Sequence, residues 1–410
     1  MQTPVVHRAS WVLPIAHPPI IDGGVAVQFG RITAVDRFRE IARNHPGVTV
    51  VDHPDSVLLP ALVNAHTHLE LSHLAHLSLR PPPVTFTGWI ENMLAARARS
   101  GFNDEAVQEA ARSSLIDQQD DGVIAIGDIS NTGLTRNLFP DFLGMLLCFK
   151  EFLGLRASSV DPSLQALQTE ADHHLCTAHA PYSTHADLLR ALKKRALVAG
   201  HVFPIHVAEP QAESEMMSRG RGELVDFLER RGFWDGSFQP IGIDNSGSVQ
   251  YLHQLGILEN KTLCVHCIHV SEPEIRLLIK AGSKICLCPG SNRYLGVGKA
   301  PVEKYLRAGM LPALGTDSLA SNPEISMWRE MKLLAQDHPL VDLPDILAMA
   351  TAGGAAALDL DSEIGTLEPG KQARFLTVSL PDTVNTLTAV YEYLVTTGSS
   401  MHPEWITSKL

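Results

Sequence analysis

Eight short apolar runs, spaced by helical patterns, decide what this chain can fold into. They occupy residues 57–65, 123–129, 142–152, 175–178, 202–207, 262–267, 284–288 and 311–315. Apolar periodicity of a helix marks residues 105–119, 187–199, 222–231, 272–281 and 302–308 between them. Short buried strands alternating with helices indicate a parallel sheet of the α/β class. Eight such units predict a (β/α)8 TIM-like barrel, whose usual size of about 250 residues suits the stretch 59–362. The flanking stretches, 1–58 and 363–410, read instead as short strands and turns. Residues 25–35 alternate around a turn glycine, Gly30, and Phe375-Leu-Thr-Val-Ser-Leu reads as another strand. These two ends are expected to pair as a small β domain beside the barrel.

The polar residues that close the apolar runs carry the chemistry. The first run continues into His66-Thr-His68, and side chains two residues apart on a strand share a face, so both imidazoles can reach one metal ion. The fourth run closes on His179, the fifth on His206 with Glu209 three residues on, the sixth on His266 and the last on Asp317. Singly, a histidine in such a place is more often a satisfied core residue than a ligand. In a barrel, however, the strand ends ring one mouth, where active sites are built. Imidazoles plus a carboxylate with room for water suit a catalytic metal site rather than a closed structural one. Such a metal lowers the pKa of its water. A nearby carboxylate must then move protons, and Glu209 is the candidate.

Charge and composition narrow the partners. The formal net charge of −12 argues against nucleic acid, which needs a concentrated basic face, and against an anionic membrane surface. The N-terminus lacks the pattern of a signal peptide. No apolar run approaches the roughly 20 residues of a membrane helix. A cytoplasmic location and a small-molecule substrate are therefore expected. The cysteine pairs Cys264/Cys267 and Cys286/Cys288 lie in apolar strand-like segments, where free cysteine packs as a small hydrophobe. They read as core rather than as a zinc or disulfide framework. The long insertion after the first run, with Arg80-Pro-Pro-Pro83 and Phe86-Thr-Gly-Trp89, is a natural substrate cover.

Taken together, Pro60-Ala-Leu-Val-Asn-Ala-His-Thr-His68, His206-Val-Ala-Glu209, Val265-His-Cys267, Cys288-Pro-Gly-Ser-Asn292 and Leu314-Gly-Thr-Asp-Ser318 resemble the amidohydrolase superfamily, in its aminohydrolase and chlorohydrolase branch. The resemblance implies a distorted barrel beside a small β-sandwich made from both chain ends. It implies one divalent metal, usually zinc and sometimes iron, with His66, His68, His206 and Asp317 as ligands. His266 would contact the attacking water or the substrate, Glu209 would carry a proton to a ring nitrogen, and His179 would touch the substrate. The implied reaction is hydrolytic deamination of a heteroaromatic ring, with Asp317 and His266 assisting proton transfer. Relatives also suggest a homodimer.

The sequence Leu69-Glu70-Leu71-Ser72 after the histidines looks most like aminodeoxyfutalosine deaminases, which act on adenosine-type nucleosides. Glu70 is then a candidate for a ribose hydroxyl or a base edge, or else a brace for its loop. Glu151 and Arg156, after the third run, are further substrate candidates. Two other readings stand beside a 6-aminopurine nucleoside deaminase. One is a guanine, cytosine or s-triazine aminohydrolase or chlorohydrolase. The other, a barrel that binds a ligand without catalysis, is disfavoured by the presence of both Glu209 and Asp317.

Overall fold

The computed structural model describes residues 4–82, 84–100, 104–242 and 247–407. Residues 1–3 of the N-terminal reading, Pro83 of the insertion and the outer limits 1 and 410 of the terminal segments lie outside the described residues.

The eight apolar runs become eight parallel strands in two sheets. Leu62–Thr67, Val123–Ser130, Met145–Phe152 and Cys176–Ala178 form one. Phe203–Val207, Thr262–His266, Lys284–Leu287 and Ala313–Leu314 form the other. Helices follow most of these strands and cover them, so Leu62–Thr67 and Val123–Ser130 are buried at every residue. This double coverage explains why the runs are apolar without alternation. Hydrogen bonds also span both pairs of outer strands. The His206 amide donates to the His179 carbonyl at 2.9 Å, and the Thr316 amide to the His66 carbonyl at 3.0 Å.

The first run is corrected. Residues 57–65 are not one strand but parts of two: Thr49–Pro60, then Leu62–Thr67 after a break at Ala61. Both halves are fully buried, so hydrophobicity does not change where the chain passes from one sheet to the next. Thr49–Pro60 belongs to a six-stranded mixed sheet. Its order is Glu404–Thr407, Arg374–Ser379, Thr49–Pro60, Val5–Val12, Ile20–Gln28 and Arg31–Arg37. The two chain ends thus pair in one sheet, with Phe375 opposite Pro60 and Val5 opposite Thr49. The C-terminal stretch is not all β. Helix Leu387–Thr396 interrupts it and packs on helix Met327–Asp337.

Helix Glu272–Ala281 begins where its sequence says it should. Ser271 and Glu274 form a reciprocal capping box, and Gly282 closes the helix in the left-handed conformation. The remaining predicted helices also form: Asp104–Asp120, Ala186–Ala199, Glu223–Arg230 and Val302–Arg307. The insertion after the first strand holds a 3-10 stretch, Leu69–Leu77, and a helix, Phe86–Ser100. All six cysteines are free and buried, as expected of small core hydrophobes. Among the described residues no helix is long and apolar enough to cross a membrane.

Candidate metal centre and substrate cavity

The parallel strands deliver their polar ends to one place. His66, fully buried, ends the first strand, and Asn64 two residues earlier fixes its main chain. The Asn64 side-chain oxygen accepts from the His66 amide at 3.3 Å and the Thr316 amide at 3.2 Å. Its amide donates to Gln118 at 2.7 Å and to the Thr316 hydroxyl at 2.8 Å. One buried side chain thereby ties the first strand, the last strand and helix Asp104–Asp120 together. Asp128, at the end of the second strand, accepts from the Leu69 amide at 2.8 Å and so anchors the backbone leaving His68.

Glycines allow these strands to approach. A side chain at Gly127 would meet the Ala65 carbonyl at 2.5 Å, and one at Gly315 the His66 carbonyl at 2.7 Å. Both are contacts that no real Cβ makes, so the chain needs glycine on each side of the histidine strand.

The ring tautomers follow from what each imidazole faces. His206 Nδ1 lies 2.8 Å from the His179 carbonyl, which can only accept, so Nδ1 donates and Nε2 keeps its lone pair. His266 Nδ1 lies 3.0 Å from the Asn292 side-chain oxygen, leaving Nε2 free in the same way. The free nitrogens converge. His68 Nε2 is 3.3 Å from His206 Nε2 and 3.5 Å from Asp317 Oδ1, while His66 Nε2 is 3.8 Å from the same oxygen. His66 Nδ1 and Nε2 and His266 Nε2 are buried with no hydrogen-bond partner. Buried polar atoms are seldom left so. The trios His66/His206/His266 and His66/His68/Asp317 each bring their ligand atoms within 4.8 Å of one another, a spacing able to hold one metal ion.

Electrostatics prepare these groups as ligands. Burial, reinforced by His206 and His68, holds His66 well below the ordinary histidine value, and burial takes His266 to about 4 in spite of Asp317. Burial likewise lowers His68 and His206. Neutral imidazole is the form that ligates. For Asp317 burial opposes ionisation, but the neighbouring His68 and His266 rings and the Ser291 hydroxyl outweigh it and hold the acid below its usual value. Its Oδ2 accepts from Ser291 at 2.6 Å and Ser321 at 3.1 Å, and its Oδ1 from the Ser318 amide at 2.8 Å. Glu209 behaves in the opposite way. Burial first, then Asp317 and Glu213, push its carboxyl well above the ordinary value. Its Oε1 lies 3.5 Å from His266 Nε2. Two neighbouring carboxyls whose proton affinities are pushed apart by their surroundings are suited to opposite acid–base roles.

Strain marks the same residues. His266, Cys267, Asp317 and Ala208 hold φ of 70°, 48°, 57° and 54°, a left-handed backbone that costs non-glycine residues of order 1 kcal/mol or more each. Such conformations persist where surrounding packing enforces them and cluster at functional sites.

A cavity of 350 Å³ opens beside this cluster. His68, His206, Glu209, His266 and Asp317 form its polar floor, and His179 joins them. Its walls are apolar, with Trp89 and Met93 from helix Phe86–Ser100 facing Phe227 and Phe233. The Thr87 hydroxyl donates to Glu223 at 2.5 Å and ties that helix to Glu223–Arg230. The part of the insertion that walls the cavity is therefore helical. A second cavity of 450 Å³, lined by Arg31 and Trp405 of the six-stranded sheet and by Gln119 and Val123, holds none of these groups.

The candidate substrate residues divide. His179 and Glu151 line the cavity. Glu70 does not. It is buried beneath, and its Oε2 accepts from the Ser130 hydroxyl at 2.5 Å, the Thr132 hydroxyl at 3.0 Å and the Thr132 amide at 3.1 Å. It braces the turn after the second strand, which leaves little for a ligand. Arg156 is exposed at the start of the 3-10 turn Ala157–Ser159 and is not among the residues lining the cavity. Among the lining residues that had no signal in the sequence are Arg97 and Asn131. Arg97 Nη1 donates to Asn131 Oδ1 at 2.8 Å, and Asn131 Nδ2 donates to Glu151 Oε2 at 2.6 Å. An arginine late in a surface-patterned helix and an asparagine in a turn each have common structural explanations, and only the fold brings them together.

Residues 57–399 match the model of the amidohydrolase family. A 5-methylthioadenosine/S-adenosylhomocysteine deaminase of Moorella thermoacetica is 29% identical over 387 residues, covering 90% of this chain and 84% of that protein. An aminodeoxyfutalosine deaminase of Nitratiruptor sp. is 27% identical over 398 residues, covering 93% of each. The crystal structure of Helicobacter pylori aminofutalosine deaminase with methylthio-coformycin superposes with a TM-score of 0.81 at 24% identity, covering 96% of both chains.

Proposed function

Because the chain belongs to the amidohydrolase family, we propose that it is a hydrolase of ring C–N bonds that deaminates a 6-aminopurine nucleoside, of the kind its named relatives take. The observation that carries the reading is Glu209, a buried carboxyl 3.5 Å from His266 whose proton affinity is raised by burial and by Asp317, at the floor of a cavity. A ring nitrogen must gain a proton as water adds to the carbon bearing the amine, and a carboxyl whose proton affinity is raised by burial is suited to take that proton from water and deliver it.

The residues present fit a divalent cation, since the buried ring nitrogens of His66 have no hydrogen-bond partner and Nε2 of His66, His68 and His206 gathers with Asp317 Oδ1. His66, His68, His206 and Asp317 would hold it, with zinc the proposed metal because nitrogen-rich sets with one carboxylate suit it and iron as the alternative. When bound, the cation supplies the Lewis acidity that makes water nucleophilic near neutral pH. Glu209 protonates the ring nitrogen next to the reacting carbon and takes up a proton from water. His266, its Nδ1 fixed on Asn292, orients water through Nε2. Asp317 accepts the water proton and passes it to the departing amine, so water and the amino compound become a carbonyl product and ammonia. His179, whose Nδ1 is 2.6 Å from the Ser183 hydroxyl, steers the base through its other nitrogen. Glu151 contacts the substrate.

The two parallel sheets are proposed to close as one (β/α)8 barrel, supported by the hydrogen bonds that join both pairs of outer strands. The sheet built from both chain ends is proposed as the small second domain, a β-sandwich, divided from residues 59–362. The net charge of −12 supports a free small molecule over a nucleic acid as the partner.

Ammonia release should be measured on adenosine, methylthioadenosine, adenosylhomocysteine, aminodeoxyfutalosine, guanine and cytosine, with chloride release from a chlorotriazine, and with metal analysis of the same protein. Turnover of an aminopurine nucleoside by metal-loaded protein is expected. Chloride release without turnover of any aminopurine would overturn the reading, as would full activity in metal-free protein.

A further inference from the structure

Glu151 is the buried group at the cavity whose bonding is half complete. It lies at the end of the third strand, buried, and its Oε2 accepts from Asn131 while its Oε1 has no partner. The orientation of Asn131 is not a free choice. Arg97 can only donate, so the oxygen of the Asn131 amide must face Arg97 and its nitrogen must face Glu151. Arg97 is itself braced by Glu70, whose Oε1 lies 3.5 Å from Arg97 Nη2. A chain of side chains from the first-strand loop through helix Phe86–Ser100 to the third strand therefore fixes one carboxyl oxygen and leaves the other buried without a partner at the edge of the cavity.

Within the floor, nothing takes up that oxygen. The nearest ring nitrogen, His206 Nδ1, is 3.9 Å away and already committed to the His179 carbonyl. Glu151, His179 and His206 nevertheless lie together, with Glu151 nearest Nδ1 of His206 while His68 sits 3.3 Å from its Nε2. The reacting carbon belongs at the Glu209 and Asp317 end, so Glu151 faces a part of the substrate away from the reacting carbon.

We propose that Glu151, aimed by Arg97 and Asn131, selects substrates by bonding a sugar hydroxyl of the nucleoside; this deepens the reading above and rests on it. Apart from the reacting amine, an adenine ring offers only acceptors. A hydroxyl both donates and accepts, so it pairs with the unpartnered oxygen whichever proton state the carboxyl holds, which no ring nitrogen does. A buried oxygen built to meet a hydroxyl rejects an analogue lacking it, because the oxygen is then left desolvated and unpaired.

The test is a comparison of kcat/KM for the preferred ribonucleoside, its 2′-deoxy and 3′-deoxy analogues and its 7-deaza analogue, in the wild type and in Glu151→Ala and Asn131→Ala. The wild type should lose at least about tenfold on removal of one sugar hydroxyl, mostly through KM. Glu151→Ala should lose a similar factor on the parent and then treat parent and deoxy analogue alike. Asn131→Ala should narrow the same preference, with metal content unchanged in both variants. Deoxy analogues turned over as well as the parent would overturn the proposal. So would a deoxy preference that survives in Glu151→Ala, or a wild type that loses on the 7-deaza analogue instead. If Glu151→Ala fails to fold, the Asn131→Ala comparison decides alone. Turnover without hydroxyl preference defeats only this inference, while no turnover of any nucleoside defeats it together with the proposed function.

Discussion

Glu209 and Asp317 are carboxylates in one buried site, yet their surroundings push them in opposite directions. Asp317 has three donors within hydrogen-bond distance and rings beside it, whereas the nearest charged neighbours of Glu209 are other acids. Glu209→Gln keeps the shape and removes the movable proton. It should retain the metal by elemental analysis and lose at least about 100-fold in kcat, and a variant within a few fold of wild type would exclude Glu209 as proton carrier. The ligand-type residues were legible in the sequence because strand ends expose period-two neighbours such as His66 and His68. Glu70 shows the limit. Its position beside the histidines left a substrate contact and a brace equally open, and the choice depends on Ser130 and Thr132, which are about sixty residues away and invisible to local pattern.

At the scale of elements, the histidine strand Leu62–Thr67 is held by close backbone approach on both sides. Gly315→Ala places a methyl against the His66 carbonyl and the Cys286 sulfur, so either the last strand or the histidine strand must move. The expected cost is about 1–3 kcal/mol in denaturant unfolding, with weakened metal affinity because His66 and Asp317 sit on the two strands forced apart. Unchanged stability and metal binding would mean that the join is softer than the contact distances imply. Element boundaries were readable where a local device sets them. The Ser271/Glu274 capping box put helix Glu272–Ala281 at its predicted limits. They were unreadable where burial is continuous, as at Ala61, where one apolar run serves two sheets. Helix Phe86–Ser100 was missed for a third reason. Several of its apolar residues line the cavity while also packing on Leu71, Leu74 and Leu77, and the Pro-rich stretch ahead of it reads as a loop.

For the whole molecule, acids outside the site set how stability depends on pH, and two of them pull in opposite directions. Asp121, in the turn before the second strand, is raised to about 7 chiefly by burial, and its Oδ2 is buried with no hydrogen-bond partner. Its folded value is above the unfolded one of about 4, so its contribution is complete below pH 4 and is lost as the pH rises through 7. Glu170 is the reverse. Burial opposes its charge, but hydrogen bonds from Lys150, His174 and Arg136 prevail and hold it at about 2. Its contribution is complete above the unfolded value of about 4 and disappears as the pH falls through 2. Asp121→Asn should therefore narrow the drop in Tm between pH 5 and pH 8 by a few degrees relative to wild type. Glu170→Gln should lower Tm at pH 7 by a few degrees and converge with wild type only as the pH falls to about 2. Thermal scans of metal-loaded protein at each pH separate the two effects, because the slopes change at opposite ends of the profile. Parallel curves for wild type and both variants would mean that neither acid changes its proton affinity on folding, and that the buried position of Asp121 is relieved in solution by water reaching Oδ2.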